Sequence, residues 1–456
     1  MYSSRVSDSE ARKGPFDLPT IRTWARATER ISQAADERFG AWRRRIHPVT
    51  ERLERANWLP LAGFGIAFLL LLTRGWPLVT HAQLYIEDGP EFYGNAYNIG
   101  WGTLTRAYRD YFHLVARLIA LIATLFPVSE GPLVVCLSAI LIQAATAAFF
   151  LSNRLAKQIP SVWMRLFLAL LIVGYPNSDE LYGNIAHSQW FLGLLGLALV
   201  YAEPARSLLG RVRDGIVLFA IGLTGPFAPV LALLAWLRIR GNPVWVALVL
   251  TLATALLPLA YLGSHRVVSS AGLGKPPSLF RMADNQILVG PFQGLAAIQA
   301  RPYDPLLNRT DLAATVLIAG VLAYGLLRGP NLLRGAIFLG IVIVGAALRS
   351  EQWRLLAAPG VGERYFFVIG FALVAVFAVM AWNGRSAATR WLGRFACLYC
   401  LIGIGRNWLY APPYADLNFG PQIARFEAVP HGQYLDVLTP IDRKSNAHWV
   451  TRLLKR

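Results

Sequence analysis

A succession of apolar runs of near bilayer length constrains this chain more than any other feature. Runs lie at 58–74, 131–151, 243–263, 311–327, 331–349, 364–383 and 391–408, with shorter ones at 162–175, 189–202, 215–224 and 227–238. A helix needs ~20 apolar residues to cross the hydrocarbon core. In a 456-residue chain, 55% hydrophobic and 15% charged residues with a mean hydropathy of +0.43 exclude an ordinary soluble domain. The expectation is an all-α polytopic membrane protein.

Charge sets the order of the crossings. The net charge is +18, but the basic residues gather in the N-terminal segment and in short loops between apolar runs, as the positive-inside rule produces. Nucleic acid is therefore not an expected partner. Residues 1–57 carry twelve Lys or Arg and are expected to be cytoplasmic, with no cleavable signal peptide. Within them Ile21, Trp24, Ile31, Phe39 and Ile46 recur at helical spacing. That predicts an amphipathic helix either on anionic inner-leaflet lipid or on the protein's own loops.

The loops holding Arg154 and Lys157, Arg206 to Arg213, Arg238 and Arg240, Arg328 and Arg334, and Arg385 to Arg394 can all be cytoplasmic only under two conditions. The segment 113–126 must not cross, and 215–238 must be a hairpin of two short helices turning at Gly225-Pro226. The result is about eleven transmembrane helices with the N-terminus inside and the C-terminus outside. The predicted organisation is a cytoplasmic segment 1–57, a transmembrane domain 58–408 with a first outer loop 75–130, and an extracytoplasmic tail 409–456. Cys397 and Cys400 form a CxxC inside an apolar run with no second ligand pair, and are read as packed small side chains.

The outer side then collects the polar stretches. Leu84 to Asp110 carries the adjacent acids Glu87 and Asp88, followed by Gly89-Pro90 and Glu91. Carboxylates beside a membrane are costly to desolvate and mark candidate sites. Asp88 is the expected general base and Glu87 a second acid, with helix capping as the plainer role for either. Asp110, His113 and Arg117 share one helical face. Asp179, Glu180 and His187 crowd a second loop, as acceptor-binding or second-acid groups, with a divalent cation possible there. Arg349, Glu351, Arg354, Glu363 and Arg364 occupy a third. Arg364, Arg117 and His113 are the candidate donor-phosphate ligands. The outer aromatics, among them Tyr108, Tyr111, Tyr182 and Trp190, are mostly expected to form interfacial belts.

Glu87-Asp88 soon after the first run, the amphipathic segment Tyr108 to Pro127, and Asp179-Glu180 in a later loop together resemble the GT-C superfamily of polyprenyl-phosphate-sugar-dependent transferases, such as aminoarabinose transferases and protein O-mannosyltransferases. The resemblance covers roughly 58–260. It implies a GT-C-like fold with interfacial or re-entrant helices in the first outer loop. It also implies inverting transfer from a polyprenyl-phosphate-linked sugar at the outer face of the cytoplasmic membrane, without a covalent enzyme intermediate. This chain reads Glu-Asp-Gly where some members read Asp-Glu. It has His113 to Arg117 where Lys-Pro or Pro-Pro often stands, so which acid is the base stays open. A lipid-linked glycan flippase, or a polymerase or ligase moving a whole glycan, are the alternatives.

Overall fold

The computed structural model describes residues 47–54, 56–241, 243–263, 279–299, 309–349, 356, 362–408, 415–440 and 448–456. The amphipathic helix expected within 1–46 lies outside them. So do Glu351, Arg354 and the side chain of Arg349.

The chain is a mostly helical membrane protein. Gly131–Phe150, Arg309–Arg328, Asn331–Leu348 and Glu363–Asn383 are each long and apolar enough to cross a bilayer. At ~1.5 Å per residue, twenty residues reach ~30 Å, the thickness of the hydrocarbon core. Glu363–Asn383 is the central helix, buried over nearly its whole length. Arg309–Arg328 is mostly exposed, with Val316 and Leu327 turned outward. Such an apolar outer face suits lipid and would be a liability in water.

Polar contacts gather at two opposite ends of the helices. At one end Arg74 donates to the carbonyls of Val173 and Tyr175 at 2.9 and 3.0 Å, and Leu114 N donates to Leu223 O at 3.1 Å. At the other end Arg154 pairs with Asp214, Arg238 reaches Val200 O, and Leu332 N donates to Gln158 Oε1. The Leu59–Arg74 and Val162–Gly174 helices therefore end together, as do Ile185–Tyr201 and Ala228–Leu237.

The two segments on which the expected order of crossings turns are both built from helices shorter than a full span. Leu114–Ala123 is a ten-residue helix, about 15 Å long and half of what a crossing needs. Leu208–Gly222 and Ala228–Leu237 are two short helices joined by a turn over 223–227.

The C-terminal residues depart from the all-α expectation. They hold a helix, Phe419–Ala428, and an antiparallel hairpin, Tyr434–Pro440 with His448–Leu454. Val437, Thr439, Thr451 and Leu453 are buried; alternating inward residues over a short stretch make a half-buried strand, a weak signal beside long apolar helices. This unit lies on the acidic loop. Asn98 donates to Arg452 O at 2.7 Å and accepts from Leu454 N at 2.9 Å. Gly89 lies directly against the hydroxyls of Thr439 and Thr451, which bond each other at 2.7 Å. A Cβ at Gly89 would collide with both. Gly89→Ala is expected to destabilise by about 1–3 kcal/mol, with part of the loss recovered in Gly89→Ala/Thr451→Ala. Thermal unfolding in detergent checks this, and an undisturbed Gly89→Ala would contradict the close packing.

Candidate functional site

The two adjacent acids point in different directions. Ile86–Asp88 forms one 3-10 turn, followed by a π-helical turn, Gly89–Gly94. Asp88 is 1% exposed and accepts from Ile185 N at 3.0 Å and Ala186 N at 2.8 Å. Asn184 Oδ1 accepts from His187 N at 2.8 Å. Together they satisfy three of the N–H groups that the start of the Ile185–Tyr201 helix leaves without helical partners. Asp88, expected as the base, is thus a cap of the Ile185–Tyr201 helix. Its carboxyl does not line the neighbouring cavity.

Glu87 does. Its Oε2 is buried and meets no protein donor, in a cavity of about 190 Å³. Buried polar atoms are nearly always paired, so an orphan carboxylate facing a cavity needs a reason. Three further polar atoms around the same cavity lack protein partners: His113 Nδ1, Gln189 Oε1 and Trp190 Nε1. The backbone before Glu87 is strained. Ile86 has φ 41°, a β-branched residue in the left-handed region, where such strain is characteristic of functional sites.

A tight turn supplies the cation. Tyr108 and Tyr111 exchange backbone bonds of 2.9 and 3.2 Å, with Arg109 and Asp110 at φ 48° and 71°. Two consecutive positive φ angles fit a type I′ turn, which folds the chain back within two residues. Arg109 at its tip lines the cavity and donates Nε to Tyr108 Oη at 3.1 Å. Burial, and then the nearby Glu87 charge, push the Tyr108 phenol up to about 12. Tyr108, Tyr111, Trp190 and Tyr365 line the cavity. Its remaining wall is apolar: Pro226 and Val230 on one side, Leu339, Val342 and Ile343 of the Asn331–Arg349 helix on the other.

The expected phosphate ligands fare differently. Arg117 is fully buried, donates to Phe112 O, Glu91 O and Thr103 Oγ1, and stands 5.3 Å from the Phe92 ring centre. It braces the loop behind the cavity and does not line it. His113 lines the cavity but is a neutral ring. Its Nε2 bonds Tyr108 O at 3.1 Å, and burial, followed by the Arg117 charge, lowers it to about 3. With Nε2 donating to that carbonyl, Nδ1 carries a lone pair, which would repel a phosphate. Arg364 lines the cavity, but its guanidinium pairs with Glu180 while its N–H approaches Glu180 Oε2 at 3.5 Å. Glu180 N in turn donates to Glu363 Oε2 at 3.2 Å. Glu180 therefore ties the 175–184 loop to the central helix instead of meeting an acceptor. Asp179 is buried and does not line the cavity. His187 does line it. Its Nδ1 lies 2.7 Å from Glu180 O; donation there leaves Nε2 as the acceptor of the neutral ring. No group of three His, Cys, Asp or Glu suited to a metal occurs among the described residues.

The residue missed from sequence is Arg109. Its signal was the Tyr-Arg-Asp-Tyr turn, hidden inside what reads as the start of an amphipathic segment. The chain matches no protein-family model, no curated protein and no solved structure.

Asp88 has a consequence for stability. Burial raises its carboxyl from 3.8 to about 8, against the two N–H bonds that lower it. Between about pH 4 and pH 8 the folded protein holds a proton that the unfolded chain has released. Stability is therefore highest below that window, falls as pH rises through it at up to about 1.4 kcal/mol per unit, and levels off above it. Asp88→Asn is expected to flatten this slope in unfolding measured from pH 5 to 8. A slope unchanged in the variant would assign it elsewhere.

Proposed function

We propose that the protein is a membrane glycosyltransferase of the GT-C type, moving one sugar from a polyprenyl-phosphate donor to an acceptor hydroxyl. The observation that carries this reading is the unpartnered Glu87 carboxylate, in a cavity with one polar, aromatic side and one wall of membrane-helix hydrocarbon. A lipid-linked sugar has the same two-part chemistry. The aromatic rings offer faces to a sugar, Arg109 offers a fork to phosphate, and Pro226, Val230 and Leu339 offer a bed for the prenyl chain.

In this reading Glu87 takes the acceptor proton as the acceptor oxygen attacks the anomeric carbon. The anomeric C–O bond breaks, and its electron pair leaves with the polyprenyl phosphate. Arg109 meets the charge that develops there, and His187 Nε2 orients the acceptor. The configuration inverts. The eleven crossings, the cytoplasmic N-terminus and an outer-face site belong to the same proposal, supported by the basic loops and by the gathering of polar contacts at two ends.

The cavity favours a single sugar over a whole glycan. Its volume is about 190 Å³, small beside a multi-sugar glycan. The test is the purified protein in liposomes with labelled polyprenyl-phosphate monosaccharides and a panel of hydroxyl acceptors. Acceptor-dependent release of polyprenyl phosphate supports a transferase. Movement of intact donor between leaflets without release would make it a flippase.

A further inference from the structure

Sugar transfer by Glu87, Arg109 and His187 leaves two polar groups of the cavity unused. Gln189 Oε1 and Trp190 Nε1 are buried without a protein partner, on residues that line the cavity and are 8% and 3% exposed. An unpaired buried polar atom is costly unless a ligand pairs it. Gln189 Oε1 is an acceptor, and the Trp190 indole N–H is a donor only.

Both groups are held in place. They sit in the opening turns of the Ile185–Tyr201 helix, whose start is fixed by Asp88 and Asn184. The Trp190 ring packs edge-on against Phe227 and Tyr365, at 5.4 and 5.3 Å between ring centres, which sets the direction of its N–H. About one turn on, Gly193 lets the Phe227 ring lie against the helix, since a Cβ there would fall 2.9 Å from that ring. A Cβ at Gly225 would fall 2.7 Å from Gln189 Oε1, so the bare turn leaves that oxygen its room. Groups fixed in this way discriminate, because they cannot rearrange to suit a poorer ligand.

An acceptor and a donor on consecutive residues suit a ligand that gives and takes hydrogen bonds within a short span. Two neighbouring hydroxyls of a sugar ring do so: one donates to Gln189 Oε1, and the other accepts from Trp190 Nε1. We infer that Gln189 and Trp190 are specificity-determining residues that read a vicinal diol of the transferred sugar. That role rests on the sugar-transfer reading of the same cavity.

The test is the full chain in liposomes, given the polyprenyl-phosphate monosaccharide it uses best and the 2-, 3- and 4-deoxy forms of that donor. In the wild type, deoxy donors altered at two neighbouring positions are expected to fall about 10–100-fold in kcat/KM, because each strands a buried polar group. Gln189→Met is expected to slow the parent donor and to abolish discrimination at one of the two positions, and Trp190→Phe at the other. A merely structural change would slow parent and deoxy donors alike and leave their ratio as it was. The wild-type pattern and Gln189→Met decide the matter even where Trp190→Phe does not fold. An active wild type with no two neighbouring positions sensitive, or ratios unmoved in the folded variants, would overturn the diol pair and leave sugar transfer standing. If no donor is turned over at all, sugar transfer falls and the diol pair with it.

Discussion

Glu87→Gln is expected to lower sugar release from a polyprenyl-phosphate donor by about 10²–10⁴-fold, the usual worth of a positioned general base, while donor binding stays near wild type. The substitution keeps the shape of a side chain whose Oε2 has no protein partner, so no hydrogen bond at that oxygen is lost. Kinetics in liposomes separate the outcomes: kcat falls and KM for the donor barely moves, the pattern of an interaction made only in the transition state. Asp88→Asn should behave differently. It alters a helix cap and hence the pH dependence of stability, and any loss of turnover should track loss of folded protein. Near-normal turnover in Glu87→Gln would remove Glu87 from the chemistry.

The second large effect concerns stability. Arg364→Leu is expected to destabilise by about 3–5 kcal/mol, because it leaves Glu180 buried and unpaired. The two side chains are 16% and 7% exposed, so little solvent is present to screen the loss. Arg364→Leu/Glu180→Leu should recover much of the stability, since a buried ion pair replaced by apolar groups is often neutral. Donor affinity in the double variant then reads any contact between Arg364 and phosphate separately from the fold. If Arg364→Leu unfolds like wild type, the ion pair does not hold the 175–184 loop on the central helix.

Much of the helical plan was legible because period, length and charge agree. The segment 113–126 was expected to be short and apolar, and it holds Leu114–Ala123, a ten-residue helix whose start is bonded to the turn at Leu223. The Gly225-Pro226 turn falls between two short helices as its composition suggested. The site was legible only to within a residue. Glu87 and Asp88 are neighbours on one 3-10 turn, and no pattern in the sequence says which of two adjacent carboxyls meets a helix end formed about a hundred residues later. The Ile185 and Ala186 N–H groups that Asp88 meets, and the positive φ of Ile86 beside it, are tertiary outcomes. Arg117 was misplaced for a related reason: helical spacing gave its face, but the Phe112, Glu91 and Thr103 groups that hold it come from the loop folded over it. The C-terminal hairpin, whose threonines fix Gly89, was invisible to a reading tuned to long apolar runs.

The most direct measurement is an experimental map of the protein with a non-transferable polyprenyl-phosphate sugar analogue bound in a lipid nanodisc. The expected density puts the phosphate within hydrogen-bond reach of Arg109, the sugar ring beside Glu87 and Trp190, and the prenyl chain along Val230 and Leu339. An analogue bound elsewhere, with Glu87 facing bulk water, would contradict a sugar-transfer site at this cavity.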